Sequence, residues 1–180
     1  TPEPSWPSTR FRLILRNTAP HPVNQCAETL AFIENRNGSL DVLRLPAIAV
    51  RRVAADHDPS FVGQLRGAIE VQRRFEAVND YEGFVTADLA MHRLFYNQAR
   101  VPDLWHIISR QSGHIDRLRR LNLPLPGKIE TVIGDHVAII DAIERRDPDG
   151  AAAALRRHLS GTLSIVDQIR ERYPDYFLSE

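Results

Sequence analysis

Apolar residues recur every three or four positions along residues 40–173, which is the spacing of one face of an α-helix. Helix-start signals interrupt the pattern, notably the Asp-Pro pairs at residues 58–59 and 147–148. A run of proline and glycine at residues 123–127 is a clear helix break. The pattern predicts an all-α fold, an antiparallel bundle of about six helices joined by short connections. The predicted helices span about 40–56, 58–78, 80–99, 101–121, 129–146 and 148–173.

The first 39 residues have a different character from the rest of the chain. Five prolines fall within the first 22 residues, and the run Asn-Arg-Asn-Gly at 35–38 predicts a turn. We interpret residues 1–39 as a linker or as a degraded or truncated N-terminal segment. The 180 residues, 43% of them apolar, suffice for one well-buried core, and we place that core in a single domain at 40–175.

Charge and cysteine content narrow the classes of partner. The 23 basic and 23 acidic side chains give a formal net charge of zero, so this polypeptide alone has no basic footprint for DNA or for an anionic membrane. The single cysteine, Cys26, excludes an intrachain disulfide framework and a cysteine-based zinc module, and it suits a reducing compartment. No apolar run is long enough to span a bilayer, and no signal peptide is visible, so we expect a cytoplasmic protein.

The sequence patterns of common enzymes are missing. The chain contains no His-Glu-x-x-His, no glycine-rich phosphate loop and no Gly-x-Ser-x-Gly. The Glu-x-x-His pairs of di-iron bundles do not occur either. We therefore assign no catalytic residue and do not predict an enzyme.

Four polar residues fall on predicted inward faces of three helices. Asp88 and His92 are four residues apart on one helix, so both side chains point the same way. His136 and His158 each lie on the apolar stripe of their own helix. Three imidazoles and one carboxylate form a ligand set for zinc, nickel or manganese, and on a six-coordinate ion they leave two positions open. The other interpretation, a core in which these histidines only form hydrogen bonds, stays open at this point.

Other basic side chains are weaker candidates. Arg44 lies on the first predicted helix, where one arginine turned inward would bind an anionic ligand, although surface solubility is the ordinary role. His114 lies beside an apolar stripe, so both a pocket edge and a surface position fit it. We expect the arginines at 117, 119 and 120 to lie on a solvated face.

Three stretches together resemble one known family. Residues 87–95 (ADLAMHRLF) resemble its "D-x-x-F-H" helix, and residues 135–143 (DHVAIIDAI) resemble its "E-H-x-x-I-x-x-A-I" helix. Residues 146–159 resemble its closing "D-x-x-x-A…H-L" helix. The family is the FCD domain, the C-terminal effector-binding domain of FadR-subfamily GntR transcriptional regulators, and the resemblance covers about residues 40–172.

The resemblance implies a function and a site. In that family the matching residues, here Asp88, His92, His136 and His158, bind a divalent metal, and zinc is the ion we expect first. The resemblance further implies a small organic acid as effector, a homodimeric helical bundle, and operator DNA bound by a winged helix-turn-helix domain that residues 1–39 are too short to form. Arg44 matches the arginine of the family's "R-x-x-x-E" first helix, although Ile48 replaces the glutamate.

The sequence therefore predicts the effector-sensing domain of a bacterial regulator. Arg44 and His114 are the predicted effector contacts beside the metal. Two rival classes remain, a metal-dependent hydrolase built on a helical bundle and a metal-free helical scaffold that binds a ligand.

Overall fold

The structure is a computed structural model, and it describes residues 44–163 apart from Ser112. Within that range the side chains of residues 44, 111, 113–115, 117–118 and 162–163 also lie outside the description. The described part is all-α, as predicted, and contains no strand. Its helices are α1 (Arg44–Ala55), α2 (Pro59–Ala77), α3 (Tyr81–Gln98), α4 (Pro102–Gln111), α5 (Gly113–Asn122), α6 (Lys128–Glu144) and α7 (Pro148–Leu163).

Aspartate caps begin three of these helices. The Asp58 carboxylate accepts from the Ser60 amide at 2.8 Å, and the Asp80 carboxylate accepts from the Gly83 amide at 2.9 Å. Asp147 does the same for Gly150 at 2.8 Å. Each bond satisfies an amide that the first turn of a helix leaves without a partner. The predicted starts at 58, 80 and 147 are confirmed.

Three helices end on a residue with left-handed backbone. Asn79, Arg100 and Arg146 have φ values of 55°, 60° and 54° after α2, α3 and α6. In each case the next amide reaches back five residues, as from Val101 to the Tyr96 carbonyl at 3.0 Å. This is the Schellman arrangement, in which glycine is the favoured residue at the left-handed position.

The fourth predicted helix is described in two parts. The pattern predicts one helix over 101–121, and the structure describes α4 and α5 within that range, on either side of Ser112, which lies outside the described residues. The predicted continuation of the last helix to Tyr173 and the predictions for residues 1–39 lie outside the described residues.

The core takes buried side chains from α1, α2, α3, α6 and α7. The backbones of α6 and α7 pack closely together, as do those of α1 and α7, and α2 packs on both α3 and α6. By contrast, α3 shares few close backbone contacts with α6 or α7 and faces them across buried side chains. Phe84 and Phe95 of α3 and Ile140 of α6 are among the buried side chains of this core.

None of the described helices has the length and apolarity needed to cross a membrane.

Candidate metal centre

Asp88, His92, His136 and His158 meet in the core. Asp88 and His92 come from α3, His136 from α6 and His158 from α7. None of the four is more than 8% exposed. One ligand atom from each side chain lies within 4.8 Å of the corresponding atoms of the other three. The structure therefore brings together all four residues that the sequence singles out.

Asp88 lies next to two of the three histidines. Its Oδ1 lies 3.2 Å from His136 Nε2 and 3.5 Å from His92 Nε2. The three imidazole rings pack on one another, with centroids of His136 and His158 4.5 Å apart and the ring of His92 5.3 Å from each. Carboxylate and imidazole donors thus surround one small volume.

Several polar atoms of the cluster lack hydrogen bonds. Among the described residues, six buried side-chain atoms have no partner, and five of them belong to this cluster: both Asp88 oxygens, His92 Nε2, His136 Nε2 and His158 Nδ1. A buried polar group without a partner destabilises a fold by about 1–3 kcal/mol, so the four atoms of Asp88, His92 and His136 need a common explanation. One cation among these side chains would supply it.

Two polar residues contact the histidines from outside. Gln72, fully buried on α2, places its Oε1 2.9 Å from His136 Nδ1. Asp135, on α6, places a carboxylate oxygen 3.7 Å from His158 Nδ1, beyond hydrogen-bond distance. A hydrogen bond from outside, such as that with Gln72, orients a metal-binding imidazole and selects the nitrogen that faces the metal.

Arg119 supplies positive charge to the cluster. Its Nη1 lies 3.6 Å from Asp88 Oδ2 and donates to Asp116 Oδ1 at 2.9 Å. The prediction that Arg119 lies on a solvated face is wrong, since its side chain is only 14% exposed. Arg120, by contrast, pairs with Glu82 at the surface, and its side chain is about half exposed.

These neighbours set the charge of Asp88. Burial by itself raises the pKa of Asp88, but the charge of Arg119, together with His92 and His136, holds it well below its usual range. Asp88 is therefore an ionised carboxylate at neutral pH, which is the form that binds a metal.

Burial acts in the opposite sense on two of the histidines. It lowers the pKa of His136 against the opposing effect of Asp88, and it lowers the pKa of His158 to about 4. Both rings are neutral at pH 7, which is the protonation state of a metal-bound imidazole.

The donor set fits a divalent transition metal. The four ligand atoms lie within 4.8 Å of one another, so one ion with bonds of about 2.1 Å reaches all of them after the cluster contracts. Three imidazole nitrogens with one carboxylate suit zinc, nickel and manganese, and softer ions that need thiolates are excluded from this set.

The remaining predicted site residues are not tested by the structure. Arg44 lies in the first turn of α1 and His114 in α5, but both side chains lie outside the described residues. They stay predictions.

Sequence reasoning missed Gln72 and Arg119. A signal for Gln72 was present, because it continues the stripe of Phe61, Leu65 and Ile69 on α2, where a polar residue needs a buried partner. No such signal distinguishes Arg119 from the arginines beside it.

Comparison with known proteins places these helices in a family. The sequence profile of the FCD domain matches residues 44–161, well over half of the chain. The chain is 30% identical, over 143 residues and 79% of its length, to an HTH-type transcriptional regulator in an unstable DNA locus of Streptomyces ambofaciens. It is 26% identical, over 151 residues and 84% of its length, to the HTH-type transcriptional repressor RspR of Escherichia coli (strain K12).

The match covers only part of each relative. It spans 56% of the Streptomyces protein and 66% of the Escherichia coli protein.

Proposed function

The chain belongs to the FCD domain family, and we propose that it is the effector-sensing part of a bacterial transcriptional regulator that holds one divalent metal ion. Both relatives described above carry the name of HTH-type transcriptional regulators, which supports regulation over catalysis. We assign no catalytic role to any residue. A regulator that reads chromosomal DNA works in the cytoplasm, where we place this protein.

The proposal rests on the buried polar atoms of the cluster. Asp88, His92, His136 and His158 bring four metal-binding groups from three helices into the core, and the Asp88 oxygens and the Nε2 atoms of His92 and His136 have no hydrogen-bond partner. A purely structural cluster of histidines would be expected to satisfy its buried nitrogens with one another or with the backbone. Zinc is the ion we propose first, with nickel and manganese as alternatives.

The bound ion would supply a positively charged Lewis acid that attracts a carboxylate. The four side chains leave coordination positions free on a six-coordinate ion, and Arg119 adds a second positive charge nearby. A small carboxylate metabolite is the effector class that fits this charge pattern. Arg44 and His114 remain the proposed further contacts to it.

The position of the site suggests how a signal would travel. Asp88 and His92 lie on α3, which faces α6 and α7 with few close backbone contacts, so a ligand at the site would tie these elements together. We propose that fixing α3 relative to α6 and α7 changes the arrangement of a homodimer. The winged helix-turn-helix domains that bind operator DNA would be rearranged with it. A coupling free energy of about 1–3 kcal/mol between effector binding and operator binding would be enough to regulate operator affinity.

A thermal-shift screen of small carboxylic acids tests the effector class. The protein is first stripped with a chelator, and each acid is then added with and without one equivalent of Zn²⁺. We expect some acids to raise the melting temperature only when zinc is present. His92→Ala should abolish that effect, and His106→Ala, which changes an exposed histidine of α4, should leave it intact.

Two results would favour the rival functions. Zinc-dependent turnover of ester or phosphate substrates would support a metal-dependent hydrolase. Stabilisation by a ligand that is the same with and without zinc would support a metal-free scaffold.

A further inference from the structure

Gln72 is a polar side chain buried in an otherwise apolar stripe. It lies on α2, a helix that contributes none of the four proposed metal ligands, and its exposed fraction is zero. Its stripe neighbours Phe61, Leu65 and Ile69 are all apolar. A carboxamide in such a place destabilises the core unless both ends find partners.

Both ends of Gln72 have partners, and the partners differ. The carbonyl oxygen lies 2.9 Å from His136 Nδ1, and the amide nitrogen lies 3.6 Å from the sulfur of Met91. The amide nitrogen is a donor and the thioether is a weak acceptor, so this orientation satisfies both ends. Turning the amide over would place its oxygen against the sulfur and its N–H groups against His136.

This orientation decides where the proton of His136 resides. A carbonyl oxygen only accepts, so Nδ1 must carry the hydrogen. A neutral imidazole has one N–H, and the lone pair is therefore on Nε2. That atom lies 3.2 Å from Asp88 Oδ1.

We infer that Gln72 is a positioning residue for the metal: by accepting from Nδ1 it holds His136 in the tautomer whose Nε2 lone pair faces Asp88. The inference rests on the metal site proposed above. Gln72 does not touch the ion in this account and acts through His136 alone.

The arrangement favours the metal-loaded protein over the empty one. Without a cation, a lone pair on nitrogen faces a carboxylate oxygen. If His136 took the other tautomer, its Nε2–H would lie beside the Asp88 carboxylate and this unfavourable contact would be relieved. Gln72 opposes that relaxation and so keeps the site ready for an ion.

His158 offers a contrast. Its outer neighbour Asp135 is charged, about one fifth exposed and 3.7 Å from Nδ1, too far for a hydrogen bond. Gln72 is uncharged, fully buried and within hydrogen-bond distance of its histidine. Of these two outer neighbours, only Gln72 is close enough for a hydrogen bond, and its histidine is His136.

Two variants of Gln72 separate its roles. Gln72→Leu keeps a similar volume and removes the acceptor, whereas Gln72→Glu keeps an acceptor at the same position. Zinc affinity is measured by competition with a chelating dye, and the tautomer of His136 is read from ¹⁵N chemical shifts in the metal-free protein. Urea unfolding in chelator reports whether each variant folds.

We expect His136 of the wild-type protein to be the Nδ1–H tautomer. Gln72→Leu should switch it to Nε2–H and weaken zinc binding about 10–100-fold, the usual effect of losing an outer partner of a metal-binding histidine. Gln72→Glu should retain the Nδ1–H tautomer and bind zinc at least 10-fold more tightly than Gln72→Leu. If Gln72→Leu does not fold, the wild-type tautomer and Gln72→Glu still decide the matter.

Other results would overturn the inference. An Nε2–H tautomer in the wild-type protein would do so, as would unchanged zinc affinity in a folded Gln72→Leu protein while His136→Ala loses it. If His136→Ala binds zinc as tightly as wild type, the proposed metal site itself is wrong and the role of Gln72 falls with it.

Discussion

Asp88 Oδ1 and His136 Nε2 lie 3.2 Å apart in the core, and neither atom has a hydrogen-bond partner. Gln72 accepts the hydrogen of His136 on the other side of the ring, so two acceptors face each other across this gap. Such an opposition is unfavourable in a low-dielectric interior and becomes favourable when a cation lies beside both atoms. The relationship links the stability of the fold to the occupancy of the site.

Replacing Asp88 by asparagine should separate metal binding from folding. Asp88→Asn removes the charge but keeps the shape, and its amide N–H groups can donate to His136 Nε2. We expect zinc affinity to fall at least 100-fold, while the free energy of unfolding in chelator changes by less than about 1–2 kcal/mol. Zinc titration and urea unfolding on the same preparations measure both quantities. An Asp88→Asn protein that binds zinc like wild type would contradict the assigned role.

The stability of the metal-free protein should fall in mild acid. An unperturbed histidine has a pKa of 6.5, whereas burial lowers the pKa of His158 to about 4 in the folded protein. Between these values the unfolded chain binds the proton and the folded chain does not, so the free energy of unfolding falls as the pH drops from about 6.5 to 4 and is level above that window. The lowered pKa of His136 acts in the same direction.

Urea unfolding in chelator at several pH values between 7.5 and 4.5 checks this. The loss should approach about 3 kcal/mol at the acid end, and His158→Gln should remove a large part of the slope. A pH-independent midpoint in the wild-type protein would show that His158 is protonated as easily in the folded state as in the unfolded state.

Replacing Arg119 should destabilise the metal-free protein, and added zinc should restore part of the lost stability. Arg119→Leu leaves the buried Asp88 carboxylate without its nearest cation, which we expect to lower the free energy of unfolding by about 3 kcal/mol. Added zinc should recover part of the loss because its charge neutralises the same carboxylate. Thermal unfolding with and without zinc measures the rescue.

Arg120→Leu is the matched control for Arg119→Leu. It breaks only the half-exposed pair with Glu82, so its effect should stay below about 1 kcal/mol, with no zinc dependence. Equal effects of the two variants would contradict the buried role of Arg119.

The left-handed residue after α3 offers a stabilising substitution. Arg100 has a φ of 60° and is exposed, so Arg100→Gly relieves an unfavourable backbone conformation without removing core contacts. We expect a gain of about 0.5–1 kcal/mol by urea unfolding. Arg93→Gly, at an exposed position inside α3, should instead lose about 1 kcal/mol. A loss in both variants would mean that the side chain of Arg100 stabilises the fold.

Local patterns sufficed for the helices and for the four central residues. Capping aspartates and helical periodicity are properties of short stretches, so the starts at 58, 80 and 147 and the inward faces of Asp88 and His136 could be predicted from the sequence. That the separate faces converge on one volume depends on how α3, α6 and α7 pack, which no single stretch determines.

The missed residues show where local reasoning fails. Arg119 sits among other arginines on α5, and only the proximity of Asp88 from α3 explains why it is buried. Gln72 was visible as a polar residue in an apolar stripe, but its partner is 64 positions away on α6.

Metal content measured by elemental analysis tests the central claim most directly. The wild-type protein, purified untagged without chelators, is compared with the His136→Ala, His158→Ala double variant and with His106→Ala, each after exposure to zinc and removal of the excess. We predict about one equivalent of metal per chain in the wild type and in His106→Ala, and almost none in the double variant. A wild-type protein without metal, or a double variant that retains a full equivalent, would contradict the account.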